Sequence, residues 1–275
     1  MINVSKGLDL PISGSPAIKI SDEPKISSVA VLSNDFVGMK PTMFVKVNDK
    51  VKVGQKIFED KKNPGVYFTS PAGGTVKSIN RGAKRRFLSI EIDIDANEEY
   101  ELFNLGTTTN EIKTALVDSG LWNGFRTRPF NRTPKVDDNP DAVFINCCDT
   151  NPLSVDPYEI IMEDKSSFDE GIKILSNLFD CEIHLTYQNN GFDTSNKDIN
   201  YHHVSGPHPA GLSSTHISKI YPVSLKRIVW TINYQDIISI GYLFKNNKIR
   251  THKIIALGGP NVFEPSLIKV RPSAN

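Results

Sequence analysis

The sequence lacks any large excess of charge. Its 32 lysine and arginine residues stand against 31 aspartate and glutamate residues, so its formal net charge is +1. A protein that binds nucleic acid usually carries an excess of positive charge, because it must neutralise phosphate groups. The balance of charge therefore argues against nucleic acid as the main partner of this chain.

Long apolar runs and a signal peptide are also lacking. No stretch approaches the roughly 18 apolar residues that a membrane-spanning helix needs. The opening residues, Met1 to Gly7, do not contain the apolar segment of a signal peptide. We therefore expect a soluble protein of the cytoplasm, whose membrane role, if it has one, comes from a partner.

Cysteines are few, and no nucleotide-binding loop is present. Cys147 and Cys148 are adjacent and Cys181 is distant, so the C-x-x-C spacing of zinc and redox sites is absent. We interpret the three as small buried apolar residues. No G-x-G-x-x-G or G-x-x-x-x-G-K-[ST] motif follows a predicted strand. The pair Gly258–Gly259 indicates only a turn at a strand end.

What the sequence does contain is a run of short strands between residues 45 and 82. Apolar and polar residues alternate there, and Gly, Pro and Asn supply the backbone angles of tight turns. The pattern predicts the strands Val45–Val47, Val51–Val53, Val66–Phe68 and Thr75–Ile79. So many short strands in so few residues predict a small, strongly bent sandwich or barrel.

Two lysines in this barrel segment are candidates for a covalently modified carrier lysine. Lys61 and Lys62 lie where a lipoyl or biotinyl domain carries its modified lysine, at the tip of a tight hairpin. Here Asn63, Pro64 and Gly65 follow directly and change the turn. We interpret both lysines as exposed loop residues rather than as carrier sites.

The second half of the chain has a different pattern. The apolar run Ala142–Cys148 predicts a strand that is covered on both faces. A helix is predicted over Phe168–Leu178, and Cys181–Thr186 is predicted to be the next strand. A strand, a helix and a strand in this order predict a parallel sheet of the Rossmann-like α/β class.

We therefore predict an α/β plus β protein in three parts. Residues 1–100 form an extended β region with a lipoyl/biotinyl-like barrel-sandwich, whose core is residues 45–82. Residues 101–140 form a helix, from about Thr109 to Ser119, and a connecting loop. Residues 141–275 form the Rossmann-like α/β domain.

Two further segments carry residue types that bind ligands. Arg126 and Arg128, with Trp122, Phe125 and Phe130, predict either a cationic and aromatic pocket for a planar or anionic ligand or an interface between domains. The histidine-rich segment 202–216 has no carboxylate or cysteine at a recognised ligand spacing. We therefore predict no metal site there, but a loop held by hydrogen bonds beside the strand ends.

Several long motifs are unusual enough to indicate a family. They are KGLDLPISG, DFVGMKP, FEDKKNPGV, SPAGGTV, SGLW with RTRPF, DTNPL, SGPHPAGL and INYQDIISIG. With these motifs the whole chain resembles the A subunit of the bacterial Na⁺-translocating NADH:quinone reductase. Subunits of that family are longer, so the resemblance implies that the chain stops before their C-terminal region.

The resemblance implies a place in a multisubunit complex. That complex oxidises NADH, passes electrons through flavins and an iron–sulfur centre to ubiquinone, and exports Na⁺. Its A subunit is a peripheral component on the cytoplasmic side of the inner membrane, and its partners are the other subunits, membrane subunits among them. The resemblance thus implies an enzyme only as part of the complex, with no catalytic residue in this chain.

The family is also similar to the C subunit of a related electron-transfer complex and to the flavin-bearing NADH subunit of complex I. Those relatives carry a glycine-rich loop, G-x-G-G-A-G-F-P, which lets the backbone approach flavin and nucleotide phosphates. The corresponding loop here is 119–130, and Trp122 and Arg126 occupy positions where glycine would be needed. We therefore expect this chain to bind no cofactor, the flavins and the iron–sulfur centre belonging to other subunits.

The family's association with quinone suggests what the candidate loops bind. Apolar and aromatic side chains with arginine nearby would suit a quinone ring and its carbonyl oxygens. The predicted quinone-binding residues are Phe36, Val37, Gly38, Met39, Arg126, Arg128 and Phe130. The alternative is an assembly scaffold that docks other subunits and has no ligand of its own.

Overall fold

A computed structural model describes residues 1–22 and 24–274, so Glu23 and Asn275 lie outside the described residues. The strands are, in chain order, β1 Ile2–Asn3, β2 Ala17–Ser21, β3 Ser28–Leu32, β4 Pro41–Met43, β5 Lys50–Val51, β6 Lys56–Asp60, β7 Tyr67–Thr69, β8 Gly74–Arg81, β9 Phe87–Ile94, β10 Arg126–Arg128, β11 Ala142–Cys147, β12 Glu182–Tyr187, β13 Asn200–Ser205, β14 Val229–Asn233, β15 Lys253–Leu257 and β16 Ser266–Val270. The α-helices are α1 Thr109–Asp118, α2 Pro157–Glu163, α3 Lys165–Leu178, α4 Ser213–Ile220 and α5 Tyr234–Asn246.

Two small sheets between residues 28 and 94 form the barrel-sandwich. One has the strand order β3-β9-β8-β5, and the other has the order β4-β6-β7. Their inward side chains share one core, in which Ile57, Phe58 and Ile92 are fully buried. The predicted barrel-sandwich is therefore confirmed.

One strand of the barrel prediction is wrong. Residues 45–47 do not form a strand, and the strand in this region is β4, which pairs with β6 in antiparallel register. After β4 the chain turns, and Asn48 takes a left-handed backbone conformation with a φ of 74°. The alternation of apolar residues continues into this turn, so the pattern alone placed the strand too late in the chain.

The second half of the chain forms a six-stranded sheet with the order β1-β13-β12-β11-β14-β10. Its neighbouring strands are parallel, except that β10 runs antiparallel to β14. Phe144 of β11 packs with Ile217 of α4, whereas Val143 and Ile145 belong to the core that includes α3 and α5. Because the parallel sheet is covered on both faces, the Rossmann-like prediction is confirmed.

Several strands join segments that the sequence analysis kept apart. β10 lies within residues 101–140, for which a helix and a connecting loop were predicted, and it is hydrogen-bonded into the α/β sheet. The predicted helix of that segment is confirmed as α1. β1 pairs with β13, and β2 pairs with β16. These strands are too short to show a period in the sequence, so they become visible only through their pairing.

The helices α3 and α5 cross at a contact that requires glycine. A Cβ atom at Gly241 of α5 would overlap the carbonyl oxygen of Ser167, and one at Gly171 of α3 would overlap the carbonyl oxygen of Ile237. The backbones of the two helices therefore touch directly. This contact sets the thickness of the helical layer on one face of the sheet.

We expect Gly241→Ala to lower the free energy of unfolding by about 1–3 kcal/mol, because the added methyl group overpacks the crossing. Helix propensity alone predicts the opposite sign, since Ala is more stable than Gly in a helix interior by about 1 kcal/mol. Urea unfolding measures the difference. The matched control is Gly82→Ala, whose methyl group would meet only the Leu88 side chain at 3.4 Å. A Gly241→Ala variant as stable as the parent would contradict the contact.

Candidate functional site

The ring of Phe36 lies between the barrel and the α/β domain. It belongs to residues 33–40, which connect β3 to β4 and are called the Phe36 loop below. The ring packs edge-on against Phe68 of β7, with 4.5 Å between the ring centroids and an interplanar angle of 78°. The same side chain forms part of the wall of two neighbouring cavities.

The first cavity, the interdomain cleft, has a volume of about 290 Å³. The barrel contributes the aromatic wall, and the α/β domain contributes backbone and charged groups. The lining residues that matter below are Phe36, Phe68, Gly120, Arg126, Asp236, Arg250 and His252. An aromatic wall facing cations is a suitable environment for a planar ligand with oxygen atoms at its edge.

Arg126 is fixed beside Phe36 by its own hydrogen bonds. Its Nη1 donates to the carbonyl oxygens of Asn123 and Phe125 and to Thr133 Oγ1, the last at 3.2 Å. The guanidinium carbon lies 6.0 Å from the centroid of the Phe36 ring. Burial lowers the pKa of Arg126 from its ordinary value, and the charge of Asp236 opposes this shift. The side chain is therefore held in place before any ligand arrives.

The second cavity, the loop groove, has a volume of about 240 Å³ and is also lined by Phe36 and Phe68. The structure brings five of the predicted quinone-binding residues to it, namely Phe36, Val37, Gly38, Met39 and Phe130. Arg126 lines the interdomain cleft instead. Five of the predicted residues thus line one groove, and quinone binding there stays a prediction.

Arg128 is the predicted site residue that lies apart from the others. It lines a different cavity, of about 260 Å³, together with Asn146, Cys148 and Asp149 at the end of β11. Arg128 was predicted to act with Arg126 because the two are close in the chain. Burial lowers the pKa of Arg128 as well, but the side chain contributes nothing to the cavities around Phe36.

The loop that corresponds to the relatives' glycine-rich loop is closed by its own side chains. Trp122 is buried, its Nε1 donates to the carbonyl oxygen of Pro134 at 3.0 Å, and its ring packs edge-on against Phe125 and Trp230. Gly120, at the start of the loop, has a φ of 76°. The indole thus points into the core, and Gly120, Asn123 and Arg126 of the loop line the interdomain cleft.

Two basic residues of the cleft, one of them a neutral histidine, were not predicted from the sequence. Arg250 and His252 lie in the short polar link between α5 and β15, where no motif or periodicity marks them. Arg250 Nε donates to His252 Nε2 at 3.3 Å, which requires a neutral imidazole. Burial, together with the charges of Arg250 and Lys269, lowers the pKa of His252 to about 4.

Comparisons with known proteins place this geometry in a family. A family model described as the NqrA N-terminal barrel-sandwich hybrid domain matches residues 2–95. A second one, described as the NqrA second alpha/beta domain, matches residues 107–249, which is more than half of the chain. The chain belongs to the NqrA family. Both the resemblance and the order of a barrel-sandwich followed by an α/β domain are therefore confirmed.

Relatives of this NqrA-family chain carry the name of the A subunit of the Na(+)-translocating NADH-quinone reductase. One from Klebsiella pneumoniae (strain 342) is 44% identical and is aligned over 100% of this chain and 63% of the relative. One from Neisseria meningitidis serogroup B is 46% identical over 98% of this chain and 62% of the relative. One from Vibrio atlanticus is 43% identical over 100% of this chain and 63% of the relative. The chain thus spans less than two thirds of the length of these relatives.

The histidine-rich segment of this NqrA-family chain is held by hydrogen bonds, as predicted. His208 Nδ1 lies 3.1 Å from Thr150 Oγ1, and His216 Nε2 lies 2.6 Å from the carbonyl oxygen of Ala210. His202 belongs to β13 rather than to the loop. Within residues 1–22 and 24–274, no group of three or more His, Cys, Asp and Glu side chains is placed to hold a metal ion.

The barrel lysines lie on a hairpin turn that is tied to the α/β domain. Asn63 is buried in this turn, and its Nδ2 donates to the carbonyl oxygens of Thr133 and Pro134 at 3.2 and 3.1 Å. A carrier lysine needs a free hairpin tip, whereas this NqrA-family turn is anchored next to Lys62.

None of the helices in the described part of the chain is long and apolar enough to cross a membrane.

His252 provides a test of the cleft's electrostatics. The folded pKa of about 4 lies below the ordinary value of 6.5, so between these pH values the unfolded chain binds a proton that the folded chain does not. We expect stability to fall as the pH drops through this range, and we expect His252→Gln to flatten the fall. NMR titration of the imidazole checks the pKa, and titration near the ordinary value would show that neither burial nor the surrounding cations act on it.

Proposed function

We propose that this chain forms the quinone-binding region of the A subunit in a Na⁺-translocating NADH:quinone reductase. The observation that carries the proposal is the Phe36–Phe68 pair beside the fixed guanidinium of Arg126. A quinone ring is planar and apolar on its faces, and its carbonyl oxygens accept hydrogen bonds at its edge. Aromatic side chains stack on such a ring, and a preorganised arginine donates to its oxygens at little entropic cost.

The Phe36 loop supplies the apolar part of the proposed site. Val37, Met39 and Phe130 line the loop groove next to Phe36, and Val37 and Phe130 are exposed. A ring in the interdomain cleft would thus place its tail against the apolar side chains of the Phe36 loop. We assign Arg128 no part in this site, because it lines a separate cavity.

In this proposal the chain binds and does not catalyse. The complex oxidises NADH, passes the electrons to ubiquinone and exports Na⁺, with flavins and an iron–sulfur centre on other subunits. We propose no flavin for this chain, because Trp122 and Arg126 close the loop that would carry its phosphate. The chain is a peripheral component on the cytoplasmic side of the inner membrane, and its partners are the other subunits, including membrane subunits, together with ubiquinone.

One observation favours the alternative, an assembly scaffold without a ligand of its own. Residues 4–16 form no helix or strand, and the backbone N–H of Leu8 bonds to the carbonyl oxygen of His208 at 3.0 Å. Leu8 and Leu10 nevertheless remain exposed along this segment. Exposed apolar side chains on a segment that is hydrogen-bonded to the rest of the chain suit contact with another protein.

We expect a short-chain ubiquinone to bind the chain saturably and Phe36→Ala to weaken this binding about tenfold, because a ring-stacking surface is lost. Arg126→Lys, which keeps the charge but loses the fork of donors, weakens it by a similar factor. Isothermal titration calorimetry measures the affinities. The matched controls are Phe263→Ala, at a fully exposed phenylalanine, and Arg227→Lys, outside the cleft.

The two functions give different outcomes. A scaffold would show no saturable quinone binding in the parent chain, and it would still be retained by the other subunits in a pull-down. Equal affinities of the Phe36→Ala variant and the Phe263→Ala control would also overturn the quinone site. Circular dichroism of each variant confirms that it is folded.

A further inference from the structure

The largest cavity next to the Phe36 loop is lined by cations. It has a volume of about 550 Å³ and is called the basic cavity below. Among the described residues, no aspartate or glutamate lines it, and its charged lining residues are Lys40, Lys62, Arg81, Lys84, Arg85 and Arg86. All six side chains are exposed. In a chain with a net charge of only +1, such a cluster is a marked separation of charge.

The β8–β9 hairpin holds four of these cations in a fixed array. The turn is closed by a backbone hydrogen bond from Gly82 N to the carbonyl oxygen of Arg86, at 2.8 Å. Lys84 and Arg85 take consecutive left-handed conformations, with φ of 54° and 60°. Arg86 Nη2 donates to Asn34 Oδ1 at 2.8 Å, which joins the hairpin to the Phe36 loop.

These cations lack the acidic partners that other barrel lysines have. Lys50 pairs with Asp95 at 2.7 Å, and Lys77 pairs with Asp93 at 3.4 Å. Within the described part of the chain, none of the six cations of the basic cavity takes part in a salt bridge. The nearby carboxylate of Asp60 instead accepts hydrogen bonds from the backbone N–H groups of Lys40 and Lys62. The cavity therefore keeps its positive charge.

Exposed apolar side chains accompany the cations. Val37 lines the basic cavity and is 58% exposed, and Leu88, next to Gly82 of the same hairpin, is 42% exposed. Cations around exposed apolar side chains match the boundary of an anionic bilayer. Lysine and arginine bind the phosphates there, and the apolar groups enter the edge of the acyl region. An acidic protein segment would account for the cations but not for the apolar side chains among them.

We propose that the basic cavity binds the phosphate groups of anionic phospholipids and so places this end of the barrel on a membrane surface. Phe36, Val37, Gly38 and Met39 line both the basic cavity and the loop groove. Binding of the basic cavity to a membrane would therefore also position the proposed quinone site, and this consequence rests on the proposed function. The loop would then face the bilayer at the point where an apolar quinone leaves it.

Vesicle co-sedimentation tests the proposal with the chain alone. The vesicles are phosphatidylcholine alone, or phosphatidylcholine with phosphatidylglycerol as a third of the lipid, and neither contains quinone. We expect binding to the anionic vesicles only, weakening as salt is added. The double variant Lys84→Glu, Arg85→Glu loses binding at least about tenfold, since each cation near an anionic surface contributes separately.

A matched control separates a site from general charge attraction. The double variant Lys219→Glu, Lys226→Glu makes the same change in net charge at exposed positions of the α/β domain, and it keeps the binding. An equal loss in both double variants, or equal binding to neutral and anionic vesicles, overturns the proposal. An absence of vesicle binding in the parent chain also overturns the proposal. If the hairpin variant then fails to assemble with the other subunits, the occupant of the basic cavity is an acidic protein segment. Melting temperatures confirm that all variants are folded.

The lipid result and the quinone result are independent. Because the vesicles carry no quinone, vesicle binding that depends on Lys84 and Arg85 stands even when the chain has no affinity for ubiquinone. Conversely, quinone binding without vesicle binding overturns the membrane proposal and leaves the interdomain cleft as a quinone site.

Discussion

The hydrogen bonds between β7 of the barrel and the turn after α1 hold the two halves of the molecule at a fixed distance. Thr69 Oγ1 donates to the carbonyl oxygen of Ser119 at 3.0 Å, and Asn123 Nδ2 donates to the carbonyl oxygen of Tyr67 at 2.7 Å. A side chain at Gly120 would come within 2.8 Å of Thr69 Oγ1, so the approach depends on glycine there. The interdomain cleft exists because this contact joins the halves at one edge and leaves them apart beside Phe36.

The sequence was sufficient for the local parts of the fold. The barrel, the βαβ unit and α1 each have a period or a set of turn residues that a single chain segment displays. It was insufficient where the partner of a strand is distant, as for β1, β2 and β10, because their stabilising contacts are hydrogen bonds to strands elsewhere in the chain. The misplaced strand at Val45 has the same cause, since the register of β4 is set by β6.

The candidate site was likewise predicted only in part from the sequence. Phe36 to Met39 and Phe130 were predicted from residue type and do meet in one groove. Arg250 and His252 reach the cleft only through the path of the chain after α5, which no residue pattern reveals. Net charge was equally uninformative about surfaces. The net charge is near zero, but the cations of the barrel are not evenly paired. Lys50 and Lys77 form salt bridges with aspartates, whereas the cations around the β8–β9 hairpin form none within the described residues.

The pairing of β2 with β16 and of β1 with β13 also bears on how the chain folds as it is synthesised. The strands of the barrel, β3 to β9, pair with one another within residues 28–94, so the barrel can form most of its strand pairs soon after residue 94 has been made, although the bond from Ala30 N to the carbonyl oxygen of Ser273 must wait for the end of the chain. The segment before it cannot, because its partners are made much later. Contacts between such distant residues form slowly. The N-terminal residues therefore lack their strand partners until the second half of the chain has been made. During that interval their apolar side chains are exposed, and they can bind chaperones or misassemble.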